Sequence, residues 1–181
     1  MADAETKRKI QQIQKEVEGN FNEYLKREYA LKMEFQKQNE GILAERDSLF
    51  QKMEEDEMRE MMTAALDNFP EIHSKLPVVV VGEDECYDCE FIKFIKAEYL
   101  ENYRIKVTVD LFENPYVEQT RLERTFGFMA REEGAMQLTY KDGVESCPLF
   151  AYFESDDETL EMFDLFYEFY ANLPFYAYSE E

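Results

Sequence analysis

Tryptophan is missing from this chain, and histidine occurs once, at His73. With one imidazole and no GxSxG, HExxH or GxxxxGK[ST] pattern, hydrolase and nucleotide-binding chemistry have no support. No run of about 18 apolar residues occurs, so no segment reads as a membrane span. The start, MADAETKRKIQQIQ, has no apolar core of a secretory signal. Cysteines are few and odd in number, three, which fits a reducing compartment better than a disulfide framework. The interior of the cell is the expected location. Positive charge is scarce where it would matter for nucleic acid: the one basic cluster is Lys7-Arg8-Lys9, too small to hold phosphates without help.

What the chain does have is acid, unevenly placed. Residues 1–53 hold ten of the 20 Lys/Arg and ten of the 41 Asp/Glu, so the whole formal charge of −21 falls on residues 54–181. From Asp142 onward there are eleven acids and no Lys or Arg. Acidic surfaces often do no more than keep a protein soluble. An imbalance confined to one part of the chain points further, to a cationic partner.

Proline is absent between Met1 and Phe69. Apolar residues recur there at Ile10, Ile13, Val17, Phe21, Tyr24, Leu31, Phe35, Ile42, Leu49 and Met53, mostly three, four or seven apart. That spacing keeps one stripe on one face of a helix. Gly19 and Gly41 each weaken a helix by about 1 kcal/mol relative to Ala, and either is a candidate for a break. A lone helix of roughly 45 residues, 65–70 Å long, cannot bury its own stripe and needs a partner. Glu28, Gln38 and Glu45 or Arg46 fall in the seam, and Phe21, Tyr24 and Phe35 are bulky, which suits a broad antiparallel pairing. Self-association through residues 1–53 is the expectation, and folding back onto the rest of the chain is the alternative.

A second helix is expected over about Glu55 to Asn68, packing Met58, Met61, Met62, Leu66 and Phe69, and ended by Pro70. From Phe91 the period changes. FIKFIKAEYLE, YRIKVTVDLF, RLERTFGF and AMQLTYKDG alternate as half-buried strands do, with NP, EEG and DG as turns. The last helix carries Leu160, Phe163, Leu165, Phe166, Phe169 and Tyr170 on its apolar side. The fold class is therefore α+β: a long N-terminal dimerisation helix (1–53), then an acidic α+β domain (54–181) with a four-stranded antiparallel sheet covered by helices.

PVVVVGEDECYDCEF, Pro77 to Phe91, looks like the strand, turn and CxxC that open a thioredoxin-like site, and SCPLFAYF offers Pro148 before a candidate strand. Acids crowd Cys86 and Cys89, however, and a negative field raises thiol pKa values when a reactive thiolate needs them lowered. A zinc site could draw on Cys86, Cys89, Cys147 and His73, but only one pair has ligand spacing. The expectation is no metal and no cofactor. A thioredoxin-like thiol-disulfide oxidoreductase with a coiled-coil N-terminus remains as the alternative.

NYRIKVTVDLFENPYVEQTRLERTFGF resembles the central signature of the nucleosome assembly protein / SET family of histone chaperones. An alternating strand, Tyr103 to Phe112, leads to an NPYF-like turn, Asn114-Pro115-Tyr116-Val117. Leu122 to Phe126 follows as the L-x-K-x-F strand, with Arg124 in the Lys place. MREMMTAALDNFPEI is similar to the family's helix ending in an aromatic-x-N-H-P-like stretch, CPLFAYF to its late aromatic box, and ANLPFYAY to its closing P-x-x-Y-Y-like end. The family's register puts Cys86 and Cys89 on a short acidic helix before the first strand. The family usually ends in a long acidic tail, whereas this sequence stops at Ser179-Glu180-Glu181, as either a tailless member or a trimmed chain would.

The resemblance implies a non-enzymatic homodimer, paired through antiparallel long helices, that binds core histones (H3–H4 and/or H2A–H2B) on an acidic face. It implies assembly and disassembly of nucleosomes in the nucleus and/or cytoplasm, without sequence-specific nucleic acid binding and without a membrane. The histone contacts it suggests are Glu113, Glu118, Glu132, Glu133, Asp142, Glu145, Glu154, Asp156, Asp157, Glu158, Glu161 and Asp164. Dimerisation would fall to Ile10, Ile13, Val17, Phe21, Tyr24, Leu31, Phe35, Ile42 and Leu49.

Overall fold

A computed structural model describes residues 3–127, 134–155 and 160–179. Helix α1 (Ala4–Phe50) runs through Gly19 and Gly41 without a break and stops short of Met53. It is followed by α2 (Glu55–Asp67), α3 (Pro70–His73), β1 (Val78–Val81), β2 (Asp84–Tyr87), β3 (Ile92–Leu100), β4 (Arg104–Leu111) and β5 (Arg121–Gly127). Helices α4 (Pro148–Glu154), α5 (Leu160–Ala171) and α6 (Leu173–Tyr178) complete the chain. Two compact units emerge, residues 1–40 and 41–181.

In the first unit α1 exposes most of its large apolar side chains, Ile10, Ile13, Val17, Phe21, Tyr24, Leu31 and Phe35, while Tyr29 is buried. Opposite charges three or four apart brace the helix, as at Lys26–Glu23 (2.8 Å) and Lys9–Glu5 (3.4 Å). Such exposed pairs add a few tenths of a kcal/mol each.

The second unit begins with the last turns of α1. Arg46 donates to the carbonyl oxygens of Tyr170 (2.8 Å) and Ala171 (3.3 Å), the final residues of α5, so a cation meets the negative end of that helix. Asp47 accepts from Arg46 (2.8 Å) and from the Tyr170 hydroxyl (2.7 Å), and Phe50 is buried. Helix α2 starts where Glu57 Oε2 accepts the Glu54 backbone N–H (3.2 Å), and Glu55, Asp56 and Glu57 favour its positive end. Met58, Met61 and Met62 are all buried, so packing is their role.

The main sheet has the order β3-β4-β5, antiparallel throughout. A register shift between Ile92 and Phe94 inserts Lys93 as a bulge, and alternation restarts with Ile95, Ala97 and Tyr99 inward. Ile105, Val107 and Val109 of β4 and Leu122, Arg124 and Phe126 of β5 share that buried face. Helix α5 covers it, with Phe163 against Tyr99 at 5.0 Å between ring centres. The other face is half exposed and carries ion pairs such as Lys106–Glu123 at 3.0 Å.

The expected four-stranded meander is three strands plus a separate two-stranded hairpin. AMQLTYKDG alternates like a strand, but its backbone bonds go elsewhere. Met136 N donates to the Phe153 carbonyl in α4 (2.7 Å), and Lys141 N to Tyr116 (2.9 Å). One bridge remains, Val117 with Tyr140. Gly134 also lies so close to β5 that a Cβ there would stand 1.8 Å from the Thr125 carbonyl oxygen.

The extra hairpin is β1–β2, pairing Val78 with Tyr87 and Val81 with Asp84. Gly82 supplies the positive φ (69°) that its two-residue turn requires. This overturns the short acidic helix expected for Cys86 and Cys89. PLFAYF, a candidate strand in the thioredoxin reading, is helix α4 with Pro148 in its first turn.

Candidate functional site

The NPYV turn is built by one side chain. Asn114 is buried, accepts from the N–H groups of Tyr116 (2.9 Å) and Val117 (3.0 Å), and donates to the Phe112 carbonyl (3.1 Å). With its polar atoms satisfied locally it can leave water, and it directs Tyr116 and Val117 inward. Glu113 and Glu118, on either side, stay exposed.

A second loop lies alongside. Glu118 N donates to the Thr139 carbonyl (2.9 Å), and Lys141 Nζ reaches the Asn114 carbonyl (2.6 Å). Lys141 to Val144 then form a turn closed by Val144 N to Lys141 O (3.2 Å), with Gly143 at φ 77°. Asp142 and Glu145 are exposed there. Four of the acids named from the sequence, Glu113, Glu118, Asp142 and Glu145, are therefore carried by two hydrogen-bonded loops.

Glu154 differs from these four. It is half buried, accepts from the Tyr140 hydroxyl (2.6 Å) and lies 3.4 Å from the Leu138 N–H, so it acts as a strut between α4 and the loop. Burial, and then the bond to Glu154, push the Tyr140 phenol up to about 12. Glu161 and Asp164 are exposed on α5, one turn apart, on the side away from Phe163 and Phe166. Glu132, Glu133, Asp156, Asp157 and Glu158 lie outside the described residues.

All nine side chains assigned to self-association are exposed, each with 54–67% of its surface open. Phe21 and Tyr24 stack on each other at 6.1 Å, which leaves a flat aromatic step on the helix.

The CxxC does not form a thiol site. Cys86 is exposed on β2, while Cys89 is buried beyond the strand end, so neither sits at a helix N-terminus that would favour a thiolate. Burial first, then Asp67 and Asp88, push the Cys89 thiol up to about 12. Cys147 lines a different recess with Pro77 and Tyr116.

Of the four zinc candidates in the sequence, the structure joins Cys89 and His73 and adds a residue the spacing did not flag. Asp67 Oδ1 lies 3.3 Å from His73 Nε2 and 3.8 Å from Cys89 Sγ. Asp67 comes from the end of α2, so helix packing, not sequence spacing, brings it there.

No family profile matches the chain. An uncharacterized protein of Encephalitozoon cuniculi is 27% identical over 168 residues, covering 91% of this chain and 88% of that one. Among solved structures, a malaria-parasite nucleosome assembly protein is 14% identical, with 96% of this chain and 91% of that chain covered at a TM-score of 0.49. Nucleosome Assembly Protein 1 from Plasmodium knowlesi is also 14% identical, covering 95% of this chain and 94% of that one, at a TM-score of 0.55. An unbroken long helix leading into a three-stranded sheet packed by helices is thus the fold of a nucleosome assembly protein.

Proposed function

We propose that this chain is a histone chaperone: a homodimer, without enzymatic activity, that binds core histones through the acidic surface of residues 41–181. One observation carries the reading. A nucleosome-assembly-protein-like fold bears the whole net negative charge of the chain beyond residue 53. H3–H4 or H2A–H2B, being strongly basic, would meet many carboxylates at once, and their charge would be shielded from DNA.

The exposed loops bearing Glu113, Glu118, Asp142 and Glu145 are the first contact surface in this reading, and Glu161 and Asp164 on α5 the second. Glu132, Glu133, Asp156, Asp157 and Glu158 belong to the same proposal by charge alone. Glu154 contributes by holding Tyr140. The apolar stripe from Ile10 to Leu49 pairs two copies, and pairing doubles the number of acidic surfaces offered to a histone tetramer or dimer. The compartment is the nucleus and/or the cytoplasm, where histones are carried and deposited; no described helix is long and apolar enough to cross a membrane.

The test is a pull-down of purified core histones across a salt series, with DNA as competitor. Binding that falls steeply with salt and prevents histone–DNA aggregation is expected. Equal affinity for lysozyme-like basic proteins would reduce the chain to a generic polyanion.

A further inference from the structure

At the C-terminal end of α2 three different donors converge. Asp67 is the last residue of that helix, the Phe69-Pro70 turn reverses the chain, and His73 closes α3. Cys89 enters from the other side, between the β1–β2 hairpin and β3, where its carbonyl accepts the Ile92 N–H (3.1 Å). The Asp67 carboxylate, the His73 imidazole and the Cys89 sulfur each offer an atom within 4.8 Å of the other two.

We propose that Asp67, His73 and Cys89 bind a divalent transition-metal ion of the zinc type. The donor set is the first argument. Thiolate, imidazole and carboxylate are the three ligand types zinc takes, and a mixed S/N/O set does not suit calcium or magnesium, which want oxygen alone. Geometry is the second. Zn–S of about 2.3 Å and Zn–N or Zn–O of about 2.0 Å put tetrahedral donors roughly 3.3–3.6 Å apart. The separations at Asp67 are 3.3 and 3.8 Å and all three donor atoms lie within 4.8 Å of one another, so side-chain shifts of about an ångström bring the three around one ion.

Rigidity is the third argument. Leu66 and Ile72, adjacent in sequence to two of the donors, are fully buried, and Tyr87 stands edge-on to the His73 ring at 5.0 Å, which fixes the imidazole plane. Buried neighbours in sequence and the Tyr87 ring therefore limit how far these side chains move. Charge is the fourth. Glu85, Asp88 and Glu90 line the same recess, and this acidic setting favours a dication. Asp67 is exposed and His73 half exposed, so the ion has a route in from solvent, while Cys89 forms the floor. On binding, a metal–sulfur bond replaces the Cys89 S–H bond and the proton passes to solvent.

The consequence is structural. The ion would add a tie between the end of the β1–β2 hairpin and the α2–α3 corner.

The experiment uses the full chain, freed of metal with a chelator and then titrated with Co(II) and Zn(II). Co(II) should give the sulfur-to-cobalt charge-transfer absorption of a thiolate ligand with one equivalent bound, and Zn(II) should displace it. Cys89→Ser should abolish that band. His73→Gln and Asp67→Asn, both at solvent-accessible positions, should weaken Zn(II) binding at least tenfold, and Cys147→Ser should leave it unchanged. Because the chain has one histidine, its NMR ring signals report coordination without ambiguity. Absence of the thiolate band overturns the proposal. So does zinc binding of the same strength in the His73 and Asp67 variants, which would be diffuse attraction to surface carboxylates.

Discussion

Arg124 donates through Nη1 to the backbone carbonyl of Tyr152 at 2.7 Å, across the gap between the centre of β5 and the last turn of α4. Arg124 is 2% exposed, on the face of the sheet that otherwise holds Leu122 and Phe126. Burying a cation is costly, and two features offset the cost here. The negative end of α4 receives it, and its plane lies over the rings of Phe126 (4.8 Å) and Tyr152 (4.7 Å). The residue that the sequence places in a Lys position is thus a clasp between sheet and helix.

Replacing it tests that role. Arg124→Ala strands a buried carbonyl and opens a cavity, and should lower unfolding free energy by about 3–5 kcal/mol. Arg124→Lys keeps a donor and a charge but loses the flat stacking, for about 1–2 kcal/mol. Urea denaturation of the two variants gives both numbers. A loss under 1 kcal/mol for Arg124→Ala would show that the clasp carries no weight.

The glycines should separate by position. Gly19 and Gly41 lie inside α1 with open space where a Cβ would go, so Gly19→Ala and Gly41→Ala should each stabilise the helix by about 0.5–1 kcal/mol. Gly134→Ala meets the Thr125 carbonyl and should destabilise by more than 1 kcal/mol. Melting temperatures of the three single variants settle the ordering.

Alkaline pH should weaken the fold. Free tyrosine ionises near 10.0, but Tyr140 is pushed up to about 12, by burial first and then by its bond to Glu154. The folded chain keeps a proton that the unfolded chain releases, so this stability is complete below about pH 10 and drains as pH rises toward about 12. The melting temperature should fall more gently above about pH 10 in Tyr140→Phe than in the parent. Parallel curves for the two proteins would contradict this assignment.

Self-association has its own test. Leu31→Asp with Phe35→Asp removes two large apolar side chains from the stripe, each worth about 1.5–3 kcal/mol if buried in a partner. The dimer should weaken by at least about a hundredfold, visible as half the mass in sedimentation of the full chain. A truncated comparison should begin at Gly41, because a cut near Glu54 would also remove Arg46 and Asp47, which hold α5, and Phe50, which packs on Phe94 of β3. An unchanged mass in the doubly substituted protein would exclude the stripe.

Cysteine chemistry should be dispensable for the proposed histone binding. Cys86→Ser with Cys89→Ser should leave salt-dependent histone capture within twofold of the parent and should show no change in insulin reduction. Loss of capture in a variant with native circular dichroism would tie the CxxC to function after all.

The period of the sequence made α1, α2, β3, β4, β5 and α5 legible, because one apolar face must be buried and its spacing is fixed by geometry. It misread two places for identifiable reasons. Residues 135–141 alternate correctly, but their N–H groups are taken by Phe153 and Tyr116, and alternation says nothing about where donors go. In VVVVGEDECY a resemblance outweighed the local signal, and Gly82 made a hairpin whose valines stay exposed at Val78, Val80 and Val81. Glu113 is exposed and Glu154 is half buried against Tyr140, a difference that residue type and sequence position do not encode. Asp67 was beyond reach, since its partners lie six and twenty-two positions away on other elements.

The Asn114-Pro115 pair has a consequence for ageing. An asparagine deamidates most readily when the backbone nitrogen of the next residue attacks its side-chain carbonyl and closes a succinimide. The nitrogen of Pro115 has no hydrogen to give up, and the Asn114 amide is already committed to three backbone groups. The turn that holds Glu113 and Glu118 outward is thereby shielded from the commonest chemical decay of asparagine. A long-lived chain would carry its damage at other asparagines first.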